Sequence, residues 1–247
     1  ALNIFESLQC SADRVSSARV VGEKLESPLP DGGSITYNLD PMLQEKVSQY
    51  LAAQRVPYAV FVAVEPKSGK VLGMVSHSTV DPEWHKKACY QIYPMASLFK
   101  IITASAAFEQ NKAFPDTVIA FNGKGTSVNP RYWDPRGRRS PEMTLTDAMG
   151  KSMNPVFGRL ASAVVGKEQL LLEADKFGFN RQLFPGTSIM TSTTVPPQND
   201  AELRLMGAGL GREVKISPIH AAAMMGAVAN RGLMMTPLLA EKVVSGT

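Results

Sequence analysis

Tyr93-Pro-Met-Ala-Ser97-Leu-Phe-Lys100 runs directly into Ile101-Ile-Thr-Ala-Ser-Ala-Ala-Phe108, and the junction of these two stretches decides how the rest of the chain is read. The second stretch is apolar nearly all round, the pattern of a helix buried on every side. Ser97 and Lys100 stand at the mouth of that helix, and residues at that offset share a helical face. A serine hydroxyl is a weak nucleophile unless a base lies within hydrogen-bond reach. A lysine at the start of a buried helix is partly desolvated, which favours its neutral, proton-accepting form. The chemistry suggested is acyl transfer through a serine ester. Ser-x-x-Lys alone carries little weight, because a chain of this length yields about one such match by chance. Taken alone, Ser97 reads as an N-cap and Lys100 as a solvated first-turn residue.

A second constellation, Lys151-Ser152-Met-Asn154-Pro155, gives the first its context. Thr144 followed by Asp147 is a capping signature for a short helix that ends near Gly150. Pro155 disfavours helical geometry at Asn154 and suits the first turn of the next helix. Ser152 and Asn154 are therefore expected in a turn between two helices, free to face a cleft. The plainer alternative is that Asn154 only caps the helix starting at Pro155. Ser127-Val-Asn129-Pro130 has the same form, but no helix is predicted on either side to hold its side chains, so it is set aside.

The chain has 247 residues, 44% hydrophobic and 19% charged, a globular composition large enough for one big domain or two small ones. A formal net charge of +4 is too mild to mark a nucleic-acid footprint. Two cysteines, Cys10 and Cys89, make no disulfide framework, and whether they pair is left open by the sequence. The sequence has no run of 18 apolar residues, no initiator Met and no signal-like segment, so the reading is of a mature or trimmed form. No metal or cofactor is expected.

Residues 1–36 read as a lead-in or linker, with an amphipathic stretch at Ile4, Phe5 and Leu8 and the breaker-rich Ser27-Pro-Leu-Pro-Asp-Gly-Gly33. Asp40 is placed to cap a helix with Pro41 first and Leu43, Val47 and Leu51 on one face. Ala59–Val64 and Val71–Val75 read as a hairpin, the first strand apolar throughout and expected to be covered on both faces. Residues from about 103 to 210 are mainly helical, interrupted by a loop from Phe121 to Pro141. Its stretch Arg131-Tyr-Trp-Asp-Pro-Arg-Gly-Arg-Arg139 reads as a solvated loop with aromatic anchors in preference to a nucleic-acid or phosphate patch. Ile216–Ala229 is a Met-rich helix with Met224 and Met225 expected in the core, and Leu238–Val244 a further strand.

These motifs together resemble the transpeptidase domain of penicillin-binding proteins, of the monofunctional, high-molecular-mass class, within the serine acyl-enzyme superfamily. The likeness runs from Tyr37 onward. Tyr37-Asn-Leu-Asp-Pro-Met-Leu-Gln44 resembles the family's opening segment and Val64-Glu-Pro-Lys-Ser-Gly-Lys-Val-Leu-Gly-Met74 its first hairpin. Phe177-Gly-Phe-Asn180, Gly207-Ala-Gly-Leu-Gly211, Ser217-Pro-Ile-His-Ala-Ala221 and Ala229-Asn-Arg-Gly232 follow in the family's order. The resemblance implies an α+β, β-lactamase/transpeptidase-like fold, with an antiparallel sheet packed by helices and a mainly helical subdomain within residues 37–247.

Two departures stand out. The family usually has Gly where this chain has Ala96, which is tolerable unless the position needs positive φ. The family's Lys-Thr-Gly motif has no match in place. Lys67-Ser-Gly69 lies in the first hairpin turn, and Val244-Ser-Gly-Thr247 lacks the lysine. The expectation is that the sequence stops before the C-terminal strands, one of which carries that motif, and that residues 1–247 alone acylate slowly or not at all.

The resemblance implies a peptidoglycan D,D-transpeptidase that binds β-lactams covalently. Ser97 is then the nucleophile, Lys100 its base, Ser152 the proton relay to the leaving amine and Asn154 the holder of the substrate amide. It also implies the extracytoplasmic side of the bacterial inner membrane, an anchor preceding the chain, stem peptides and other cell-wall synthesis proteins as partners, and no nucleic acid. Two alternatives stay open: a D,D-carboxypeptidase or β-lactamase, and a non-catalytic penicillin-recognising sensor.

Overall fold

The computed structural model describes residues 12–185 and 187–246. The chain forms two compact units, one of residues up to Ile92 with 182–191 and 216–247, the other of Tyr93–Arg181 with Ser192–Lys215. Cys10 and the amphipathic stretch at Ile4, Phe5 and Leu8 lie outside the described residues.

In the first unit, β1 (Arg19–Val21), β2 (Lys24–Pro28) and β3 (Ser34–Tyr37) form an antiparallel sheet closed by the strand Ala240–Val244, which pairs with β3. Residues 19–37 are thus sheet, not linker. Their strand character comes from pairing: Arg19 lies opposite Glu26, Glu26 opposite Thr36, and across the last seam Ser34 opposite Val244 and Tyr37 opposite Ala240. Asn38 secures that junction, its amide donating to the Leu238 and Ala240 carbonyls at 3.0 and 3.3 Å. Asp40 caps the helix Pro41–Gln54 as expected, its carboxylate accepting from the Leu43 N–H at 3.0 Å. Gln44 ties that helix to the neighbouring strand, donating to the Met74 carbonyl and accepting from the Met74 N–H.

The hairpin β4 (Ala59–Val64) and β5 (Val71–His77) is antiparallel with a register shift at Val64. The burial expected of β4 belongs to β5 instead. Val71, Met74 and Val75 are buried, whereas no residue of β4 is, and Val60 is exposed. An all-apolar strand therefore does not by itself report two covered faces. The core of this unit gathers Ile35, Tyr37, Leu39, Val71, Met74 and Ile219. Cys89 is buried in the same cluster, and desolvation pushes its thiol up to about 12, so it stays protonated and unreactive at neutral pH. In the helix Pro218–Ala229, capped by Ser217, Met224 is core but Met225 faces outward and is exposed, which corrects the expectation for that residue.

The second unit is mainly helical and begins ten residues earlier than the sequence pattern suggested, because the turn before Ser97 packs with it. Its central helix, Phe99–Glu109, buries Phe99, Ile102, Thr103, Ala104, Ala106 and Ala107 along with Lys100. Phe179 meets Phe99 edge-on, ring centroids 6.3 Å apart, which packs Phe177-Gly-Phe-Asn180 against the first turn of that helix. The long loop after Ala120 is pinched at its base by a short antiparallel pair, Val118–Ala120 with Glu142–Thr144, that the sequence pattern did not reveal. Among the described residues no helix is long and apolar enough to cross a membrane.

Candidate active site

The four residues singled out in the sequence converge within the second unit. A 3-10 turn, Ala96–Leu98, leads into the helix Phe99–Glu109, so Ser97 and Lys100 fall on one face. Lys100 Nζ is 2.9 Å from Ser97 Oγ. Ser152 Oγ donates to Ser97 Oγ at 2.9 Å from the opposite side. Ser97 and Ser152 are exposed while the Lys100 side chain is wholly buried, so the Ser97 hydroxyl sits where solvent meets a desolvated amine.

The remaining partners of Lys100 decide what it can do. Nζ donates to Asn154 Oδ1 at 2.9 Å and to the Ala208 carbonyl at 2.7 Å. Both are acceptors only. A neutral amine has two N–H bonds and one lone pair. With the two N–H bonds spent on these carbonyl oxygens, the lone pair is left for the one neighbour that can donate, the Ser97 hydroxyl. Burial favours that state, lowering the Lys100 pKa from 10.5 to about 8.

Asn154 does not act as the helix cap. Met153 occupies the N-cap position of Asn154–Arg159, and the Asn154 amide instead spans the site. Its Nδ2 donates to the Ser127 carbonyl at 3.2 Å and its backbone N–H to the Gly125 carbonyl at 2.9 Å, which orients Oδ1 toward Lys100. Thr144 caps Leu145–Gly150 by accepting from the Asp147 N–H, as its spacing predicted. The rejected look-alike Ser127-Val-Asn129 is held in place after all, but by structural duties. Ser127 Oγ accepts from Trp133 Nε1 and Asn129 caps the turn Pro130–Tyr132.

Backbone geometry around Ser97 is unusual. Ala96 has φ 54° and Ser152 φ 52°, left-handed values that cost a non-glycine residue about 1–2 kcal/mol each. Position 96 therefore does need positive φ, the condition under which its alanine matters. The Met95 N–H donates to the Val214 carbonyl at 2.9 Å, fixing the approach to that turn. Gly209 lies against it so closely that a Cβ would stand 2.2 Å from the Ala96 carbonyl oxygen and 2.7 Å from its carbon.

Two predictions follow from this contact. Ala96→Gly relieves the left-handed strain and should raise stability by about 1 kcal/mol in denaturant melts. Gly209→Ala must displace the Ala96–Ser97 backbone. A shift of this kind at an acylating serine should lower its acylation rate by about 100-fold, measured with a chromogenic β-lactam.

The sequence reading missed the Ala208 carbonyl as a ligand of Lys100. Its only trace was the small-residue run Gly207-Ala-Gly-Leu-Gly211, since a backbone carbonyl has no residue signature.

A family model described as the penicillin binding protein transpeptidase domain matches residues 59–246. The chain is 26% identical to the peptidoglycan D,D-transpeptidase PbpA of Mycolicibacterium smegmatis, over 87% of this chain and 50% of that protein. It is also 26% identical to stage V sporulation protein D of Bacillus subtilis, over 87% of this chain and 36% of that protein. The chain thus spans half the length of these curated relatives or less. Among solved structures, the imipenem acyl-enzyme of penicillin-binding protein A from M. tuberculosis superposes with a TM-score of 0.69 at 24% identity, covering 87% of this chain and 56% of that one. A D,D-transpeptidase domain of a peptidoglycan glycosyltransferase from Eggerthella lenta gives 0.70 at 24% identity, covering 95% and 65%. These two likenesses concern the fold.

Proposed function

The chain belongs to the penicillin-binding protein transpeptidase family, and from that membership we propose that it is the acylating part of a peptidoglycan D,D-transpeptidase. One observation carries the reading: Ser97 Oγ lies 2.9 Å from both Lys100 Nζ and Ser152 Oγ, and the amine's other two contacts are carbonyl oxygens. Neutral Lys100 takes the Ser97 proton as Oγ bonds to the carbonyl carbon of a D-Ala-D-Ala stem. The C–N bond then breaks, and the proton passes through Ser152 to the departing D-Ala amine. Asn154 is in reach of the substrate amide once a donor stem lies along the Ser152–Asn154 turn. An amine from a second stem takes the acyl group from Ser97 and restores the hydroxyl. A β-lactam follows the same path, except that its ring nitrogen stays tethered after the bond opens.

The proposal puts this chemistry on the extracytoplasmic side of the bacterial inner membrane, where peptidoglycan is built, with the protein anchored there and working beside other cell-wall synthesis proteins. The test is labelling of the full-length protein with a fluorescent penicillin, followed by peptide mapping. The expected adduct is stoichiometric, on Ser97, and slow to hydrolyse. An adduct on another residue would overturn the assignment, and rapid release of opened drug would point to a β-lactamase.

A further inference from the structure

Arg131, Arg136, Arg138 and Arg139 crowd one loop of the second unit, and the chemistry at Ser97 uses none of them. All four are exposed, and among the described residues none is ion-paired. The acid within the same stretch, Asp134, is already neutralised. Its carboxylate meets Arg204 Nη1 at 2.7 Å and Arg159 Nε at 3.3 Å, and Arg204 foremost holds its pKa below the usual carboxylate range. Glu142 at the base of the loop is the next acid along the chain, while Lys124 and Lys151 add exposed positive charge on the segments that abut the Ser152–Asn154 turn.

The loop is referenced firmly to the nucleophile. Trp133 is fully buried and packs so tightly on Gly158 that a Cβ there would stand 2.2 Å from the ring. Asn122 grips the same segment, donating from its backbone to the Trp133 carbonyl at 2.9 Å and from Nδ2 to the Tyr132 carbonyl at 2.7 Å. Trp133 Nε1 donates to Ser127 Oγ at 3.0 Å, and the Ser127 carbonyl accepts from Asn154, which in turn accepts from Lys100. The Arg136 guanidinium lies 5.8 Å from the centroid of the Tyr132 ring, which limits its wandering. These contacts tie the Tyr132–Trp133 root of the loop to the segment that carries Asn154.

We propose that this arginine loop is a docking surface for the carboxylates of uncross-linked peptidoglycan stems. It rests on the transpeptidase reading, because it presents the strand on which Ser97 acts. Guanidinium matches carboxylate in a two-bond fork. Each exposed pair of this kind is weak and screened by salt. Four together favour a polymer that repeats its anion over a single small carboxylate. An uncross-linked stem ending in D-Ala-D-Ala supplies one terminal carboxylate each time it recurs along the glycan.

Retention of the full-length protein on insoluble sacculi, stripped of phosphate polymers, tests the surface. The variant is Arg136→Ser/Arg138→Ser/Arg139→Ser, and a second arm uses unaltered protein on sacculi whose carboxylates have been amidated. Both should bind about tenfold more weakly, and the unaltered pair should weaken with added salt. Penicillin labelling of Ser97 in the variant should be unchanged, which shows that it is folded. Equal retention of variant and parent, or retention indifferent to amidation, overturns the proposal. Loss of binding to anionic lipid vesicles with sacculus binding intact also overturns it, in favour of a membrane surface. Absence of Ser97 labelling in the parent protein, with the retention results as expected, counts against the transpeptidase reading alone.

Discussion

Ser97→Ala should reduce covalent labelling by fluorescent penicillin to background while leaving the protein folded. No other hydroxyl in the site has a base on it: Ser152 Oγ points its hydrogen bond at Ser97, and Lys100 directs Nζ to Ser97, Asn154 and Ala208. Deleting Oγ removes two hydrogen bonds at an exposed position, so the stability cost should be about 1 kcal/mol or less. The melting temperature should then fall by about 2–4 °C at most. Gel fluorescence and a thermal melt on the same sample check both halves. Labelling that survives in the alanine variant would mean that the nucleophile lies elsewhere.

Lys100→Met should lower the acylation rate by about 10²–10⁴, the range over which a positioned base contributes. The pH dependence gives the more discriminating measurement. Burial lowers the amine to about 8, and only its unprotonated form can accept the Ser97 proton. Acylation must therefore rise with pH, with a midpoint near 8, and gain about tenfold between pH 7 and pH 9. The direction would be opposite if the charged amine were the active form. A midpoint near that of a solvated lysine would show that the amine is not desolvated in solution, and a flat profile would remove it from the proton path. Residual activity in the methionine variant should lose the pH dependence that belongs to this group.

Much of the site was legible because its two motifs are local. A serine and a lysine three apart at the head of an apolar run can hardly avoid sharing a face. Thr144, Asp147 and Pro155 likewise bracket a turn at Ser152 and Asn154 through capping and proline rules that act over a few residues. Less legible were properties that depend on what the chain meets later. Residues 19–37 looked like a lead-in because of the breakers at 27–33; the strands there pair locally, and Ser34–Tyr37 alone also pairs with Ala240–Val244, some two hundred residues away. Val60 is apolar yet exposed, and Met225 is apolar yet turned outward, since hydrophobicity alone does not say which face a neighbour covers. Ala96 stands where the resembled family usually has Gly, and whether the position needs positive φ could be answered only by the structure, which gives φ 54°. The structure also brings Gly209 against that turn, a contact that the local sequence does not announce.

From sequence alone came the pairing of a nucleophile with a base, the turn that carries the second hydroxyl, and membership in a motif series that implies acyl transfer. The folded chain decided how readily that base gives up its proton. Lys100 meets Asn154 across 54 residues and the Ala208 carbonyl across 108, and these contacts, with the burial around them, leave its lone pair for Ser97. The physical reason is one of range. Helical spacing and capping act within a turn or two of chain, whereas desolvation of an amine requires distant segments to close over it.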